Sequence, residues 1–296
     1  MVHLRAVGAL MLATGIWGGV YVVSRVVLQD IPPVPLVELR LLLSLVVLGP
    51  IFARAKVRAS GGDWLLAALS GTVGFALSLV AQFYGTFWSS AHVGALVTTS
   101  APAFIALLAL PVLGERPTWR QILAIALAIG GALLVMAPGQ GGGSPRGVAM
   151  LVLAAVTWAV YTVLNRRLGR RQGLAFVSFA TTLFGALCLL PLSGGLLAVH
   201  WSELGWGIYL GIAYIGFVST ALAMYLWNYG FTKLPAATAG LFFFMQPLVG
   251  TVLGVWALGE RLSLAIVPGA ALIAGGVLLA LFGGAPADSV DEGSSA

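Results

Sequence analysis

The chain has 296 residues, 60% of them apolar and 8% charged, with a formal net charge of +6. An ordinary soluble domain carries about 25% charged residues, so a water-soluble globule is excluded. A mean hydropathy of +1.03, with apolar runs of about 20 residues recurring from end to end, describes a polytopic helical membrane protein; an outer-membrane barrel is excluded, because its strands alternate in polarity over about ten residues.

Met1 to Arg5 followed by an apolar run has the outline of a signal peptide. No small-residue cleavage site precedes polar sequence, so this run is read as a retained first span, about 6 to 28. Nine further runs follow, at about 34 to 53, 64 to 84, 91 to 113, 119 to 137, 147 to 166, 173 to 196, 205 to 229, 236 to 258 and 264 to 283. Ten spans use about 200 residues and leave no room for a soluble domain, so any function sits within the membrane. The expected fold class is an all-α integral membrane protein of ten transmembrane helices. The single cysteine, Cys188, lies in an apolar run and excludes an internal disulfide or a multi-cysteine metal site.

Lysine and arginine are distributed unevenly. With the N-terminus in the cytoplasm, the inner segments hold Arg5, then Arg54, Lys56 and Arg58, then Arg116 and Arg120, then Arg166, Arg167, Arg170 and Arg171, then Lys233. The outer segments hold only Arg146 and Arg261. The positive-inside rule therefore predicts both termini in the cytoplasm of a multi-pass inner-membrane protein.

The chain also repeats itself. A shift of 141 aligns Trp17 with Trp158, Arg25 with Arg166 and Pro50 with Pro191. After a slip to 145, Tyr84-Gly85 meets Tyr229-Gly230, Pro102 meets Pro247, Leu113 to Arg116 meets Leu258 to Arg261, and Gly130-Gly131 meets Gly275-Gly276. This predicts a first five-helix unit over 1–138, a Gly/Pro-rich linker over 139–146, a second unit over 147–283 and a disordered acidic tail over 284–296. Five is odd, so the second unit enters the membrane in the opposite sense. Inverted repeats of this kind build alternating-access transporters, with a site near the mid-plane where the halves meet.

Two five-span repeats, each with a tryptophan in its first span, a proline in the fourth, a Gly-Glu pair ending it and a Gly-Gly in the fifth, resemble the EamA-type transporters of the drug/metabolite transporter superfamily. The resemblance covers about 6 to 283. It implies export of small metabolites, and within the family the chain looks most like bacterial ten-span exporters of aromatic and other apolar amino acids, although no substrate-diagnostic motif is visible.

The candidate substrate-binding residues lie in spans 1, 4, 6 and 9. Pro102 and Pro247 fall near the midpoints of spans 4 and 9, where each frees the carbonyl four residues back and offers a hinge. Thr98, Thr99, Ser100 and Gln246 are then candidates to line a cavity, against the alternative that the hydroxyls bond back to their own helices. Trp17 and Tyr21 share one face of span 1, and Trp158 and Tyr161 form a similar pair in span 6. Their rings suit an apolar side chain or, by cation–π attraction, an ammonium group; interhelical packing is the rival reading.

Charge inside the membrane is costly and therefore informative. Arg40, in span 2, is a candidate to meet a substrate carboxylate, to close an outer gate, or to pair with Asp30 or Glu38. His92 opens span 4 and is read as structural. Glu115 with Arg116 and Glu260 with Arg261 end spans 4 and 9 and suit gate or anchoring ion pairs. Gly15/Gly19, Gly207/Gly211 and Gly250/Gly254 let helices approach closely. The three histidines, His3, His92 and His200, form no catalytic group, so neither enzyme chemistry nor any cofactor or metal is expected.

Span 1 has no carboxylate, so facilitated efflux or exchange is expected ahead of proton coupling. An exporter of another class, such as cationic drugs, and a passive channel or membrane scaffold remain the alternatives. The expected partners are a small-molecule substrate and membrane lipid, with no nucleic acid, and the chain is read as a monomer.

Overall fold

A computed structural model describes residues 2–88, 97–98, 100–135, 144–246, 248–249, 252–253 and 266–282. Among these, every regular element is helical. The helices are α1 (Val2–Val27), α2 (Pro33–Arg54), α3 (Gly61–Trp88), α4 (Ala101–Leu113), α5 (Trp119–Val135), α6 (Pro145–Gln172), α7 (Leu174–Leu189), α8 (Trp206–Lys233), α9 (Ala236–Leu241) and α10 (Ile266–Phe282).

Six of these elements contain stretches long and apolar enough to cross a membrane: Leu4–Ser24, Pro33–Arg54, Gly61–Trp88, Pro145–Gln172, Leu174–Leu192 and Trp206–Lys233. Ala101–Leu113, Trp119–Gly131 and Val267–Ala280 are shorter apolar helices. The ten long spans expected from the sequence are therefore not reached among the described residues. Among the described residues, the fourth run holds the helix Ala101–Leu113, and the ninth passes from α9 into a 3-10 turn at Phe242–Phe244. Pro102 lies in the first turn of α4, a position where proline is tolerated.

Ordinary end signals set the remaining boundaries. Pro33 opens α2. Ser144 caps α6 by accepting the Gly147 N–H at 3.1 Å. Ser60 and Asp63 form a reciprocal capping box at the start of α3. Asp63 also accepts from Gln172 at 2.7 Å, tying that start to the end of α6. α4 ends at Gly114, whose φ of +71° is cheap only for glycine; this left-handed turn presents the next residue, Glu115.

The helices pack in matched pairs. α3 lies on α6 as its repeat counterpart α8 lies on α1, α2 packs on α7, and α5 packs along α10. The outer surface carries Val46, Leu107 and Leu210, each more than 60% exposed, as a surface meeting hydrocarbon requires. Cys188 is exposed on α7. Gly19 and Gly211 do sit at close approaches, to Tyr214 and Val27, whereas a Cβ at Gly15 or Gly207 has no neighbour within 4 Å among the described residues. Gly250 and Gly254 lie outside the described residues.

Two features lacked a sequence signal. α3 and α8 each contain a π-helical stretch, Ser70–Ala76 and Tyr214–Leu222, at corresponding places in the two repeats. Such segments release backbone groups from the ordinary ladder. In α3, Gly71 faces the Thr181 carbonyl so closely that an added methyl collides with α7 backbone, which cannot yield as a side chain does. Gly71→Ala is expected to lower the thermal unfolding temperature in detergent, by overpacking of about 1–3 kcal/mol; an unchanged melting curve would show that α3 and α7 separate freely.

Candidate functional site

The two repeats line a cavity of about 650 Å³, open solvent at its mouth included. Trp17, Arg40, Thr98, Trp158 and Gln246, all singled out in the sequence, line it together. So do several residues that sequence reasoning missed: Phe83, Gln82 and Ser78 of α3, Ser219 of α8, and Phe243. Apolar positions read as packing in a linear sequence, so nothing there marked Phe83 or Phe243.

The floor is aromatic. The Trp17 ring centroid lies 5.3 Å from Trp158, 5.1 Å from Trp227 and 6.1 Å from Phe243. Trp17 is fixed by a hydrogen bond from its Nε1 to the Ser219 carbonyl at 2.9 Å, an acceptor within the α8 π-stretch. The Trp158 Nε1 and the Gln246 Nε2, in contrast, are buried donors without a hydrogen-bond partner among the described residues.

The π-stretch also holds the cation. Thr220 donates its hydroxyl to the Ile215 carbonyl, five residues back, at 2.7 Å, and accepts from Arg40 Nε at 2.8 Å. Arg40 Nη2 donates to Ser219 Oγ at 3.3 Å, and the guanidinium carbon lies 5.7 Å from the Phe83 ring centre. Arg40 is 3% exposed, and no carboxylate among the described residues forms an ion pair with it. The expected pairing with Asp30 or Glu38 is therefore corrected. Glu38 is two positions along α2, roughly 200° around the helix, and is itself fully buried with both carboxylate oxygens unpartnered.

Two other candidates lie off the cavity. Ser100 donates to the Val97 carbonyl at 2.6 Å, the back-bonding alternative. Tyr161 sits one turn further along α6, 1% exposed and stacked 4.7 Å from Phe75. The Tyr21 side chain, Thr99, Pro247, Glu260 and Arg261, and also His92, lie outside the described residues.

Following α6 from Trp158 towards its arginine-rich end leads to two buried polar groups on adjacent residues, Asn165 and Arg166. Beneath the aromatic floor, Asn165 accepts from Ser70 at 2.6 Å and donates to Asn228 at 3.3 Å, and Asn228 donates to Ser178 at 3.2 Å. This buried chain stitches α3, α6, α7 and α8. About 12 Å along α6 from Trp158, Arg166 reaches Glu115 across the repeats. Its two terminal nitrogens meet the two carboxylate oxygens at 2.8 Å each. Arg170 stands 3.5 Å from the same carboxylate, which also accepts the Ala236 N–H at 3.0 Å. Glu115 thus forms an inter-repeat ion pair with Arg166 and Arg170 of α6, and Arg116 is not among its partners in the described residues.

The model of the EamA-like transporter family matches residues 4–137 and 145–282. A probable terminal-alkyne amino-acid exporter of Streptantibioticus cattleyicolor is 30% identical over 282 residues, covering 93% of each chain. The uncharacterized transporter YyaM of Bacillus subtilis is 28% identical over 77% of this chain and 75% of its own, and YetK of the same organism is 26% identical over 94% and 87%. Among solved structures, one crystal structure of a protein superposes with a TM-score of 0.75 at 21% identity, over 94% of this chain and 96% of that one.

Proposed function

Since the chain belongs to the EamA-like transporter family and is a multi-pass membrane transporter rather than an enzyme, we propose that it exports small metabolites, namely amino acids with aromatic or apolar side chains. The observation that carries this reading is the cavity between the repeats, with an aromatic floor formed by Trp17, Trp158 and Phe243 beside a few polar groups. Such a site takes an apolar side chain against ring faces and orients a polar head by a small number of donors. The similarity to an amino-acid exporter supports the same class.

Ten spans in two inverted five-helix repeats work here by alternating access in the inner membrane, as a monomer among lipids, with both termini cytoplasmic. Trp17, Thr98, Trp158 and Gln246 contact substrate, joined by Tyr21 and Thr99; Pro102 and Pro247 serve as hinges. The arginine-rich side then faces the cytoplasm, and the layers from Trp158 to Glu115 close that side while the cavity serves the outside. Glu260 and Arg261 belong to the corresponding outer gate.

Transport is facilitative or by exchange. Proton coupling is the second reading, favoured by the buried, unpartnered carboxyl of Glu38, a group that is expensive in a membrane as an anion.

Counterflow in proteoliposomes loaded with single amino acids tests the reading. Saturable uptake of labelled phenylalanine or leucine is expected, indifferent to an imposed pH gradient. Dependence on the gradient, abolished by Glu38→Gln, would favour the second reading. No counterflow of any amino acid by folded protein would refute the substrate class and leave the family membership standing.

A further inference from the structure

The fully buried side-chain atoms of the described cavity lining that lack a hydrogen-bond partner are both donors. Arg40 spends Nε and Nη2 on two neutral hydroxyls, and its Nη1 makes no hydrogen bond among the described residues. The N–H of Trp158 and the amide nitrogen of Gln246 are buried in the lining of the same cavity, without partners among the described residues. No aspartate, glutamate or histidine is among the described lining residues. A guanidinium shielded from water and balanced only by hydroxyls and a ring face is costly unless an anion joins it. Its planar fork matches a carboxylate in two parallel hydrogen bonds.

We infer that Arg40, supported by the Trp158 and Gln246 donors, is the seat of a substrate carboxylate. The carrier therefore requires that carboxylate and does not require an α-ammonium group. This rests on reading the cavity as the substrate site, and it refines that reading to monocarboxylates with an apolar or aromatic body, of which amino acids are one kind. The carboxylate takes the Arg40 end while the body lies on the rings of Trp17, Trp158 and Phe243. An ammonium group finds no acidic partner there and is tolerated at the ring faces. The hydroxyls of Ser219 and Thr220 act as positioning groups, holding the guanidinium through the π-stretch.

Binding to the full-length protein in lipid nanodiscs, followed by tryptophan fluorescence, tests this with three compounds: L-phenylalanine, its amide and 3-phenylpropionate. The two carboxylates are expected to bind within about fivefold of each other and the amide at least tenfold more weakly, as loss of a charged hydrogen-bond pair implies. Arg40→Gln is expected to erase the preference for acid over amide. Amide binding as tight as that of the acid overturns the inference while leaving the proposed function in place, and so does a preference that survives Arg40→Gln. The wild-type series decides the matter even if the variant does not fold. Absence of binding by all three compounds overturns the proposed function and the inference together.

Discussion

Replacing Glu115 by glutamine is expected to leave the protein inserted but to shift it out of the conformation described here and to cut transport at least tenfold. The ground is the environment of Arg166, 2% exposed and neutralised by a carboxylate that meets both of its terminal nitrogens at 2.8 Å. Removing one partner of a buried ion pair leaves an uncompensated charge, at a cost of about 3–5 kcal/mol. That is roughly two to three and a half orders of magnitude in a two-state equilibrium. The cost falls on this conformation in particular, because Glu115 also holds the Ala236 N–H at the start of α9. When the repeats part on that side, water reaches Arg166 and the penalty lapses.

Labelling distinguishes this from simple misfolding. In a Cys188→Ser background, a cysteine in place of Ala239, which is fully buried in α9, is expected to be protected from an impermeant maleimide on the arginine-rich side. Glu115→Gln is expected to expose it. Arg166→Gln alone is expected to be the milder lesion, since the orphaned Glu115 is 25% exposed and reaches water. The double variant is expected to recover stability relative to Glu115→Gln, because no buried charge is left unpaired. Additive losses in the cycle would mean that the two side chains do not act as a pair.

The parts of this site that the sequence revealed are those that depend on composition and internal similarity. Membrane character, two repeats and the pairing of Trp17 with Trp158 all follow from pattern. So does the expectation that Glu115 makes an ion pair, although its partner does not: Arg166 lies 51 positions away and meets it only because Gly114 turns the chain left-handed. Arg40 was visible as a costly charge, but its surroundings were not. They depend on the π-stretch of α8, where the five-residue spacing of Thr220 and Ile215 aims a hydroxyl at the guanidinium. No periodicity in the sequence announces a change from four-residue to five-residue bonding. Phe243 was invisible for a related reason: the 3-10 turn at Phe242–Phe244 rotates the apolar run away from any single helical face.

The two tryptophans of the cavity floor, equivalent by repeat, are expected to respond in opposite ways to substitution. Trp17 is 6% exposed, packed against three other rings and bonded through its N–H to Ser219. Trp17→Ala removes a buried aromatic worth about 3–5 kcal/mol and is expected to lower thermal stability and transport together. Even Trp17→Phe leaves the Ser219 carbonyl without its partner, at about 1–3 kcal/mol. Trp158 is equally buried, but its N–H has no partner. Trp158→Phe keeps the ring and deletes only an unsatisfied donor, so the unfolding temperature is expected to hold or rise while the affinity for a carboxylate substrate falls. A Trp158→Phe protein that melts normally and transports normally would make Trp158 a packing residue. One that loses both would show that the indole N–H already serves the fold, as that of Trp17 does, and in either case the substrate head group would have to be sought nearer Arg40 and Gln246.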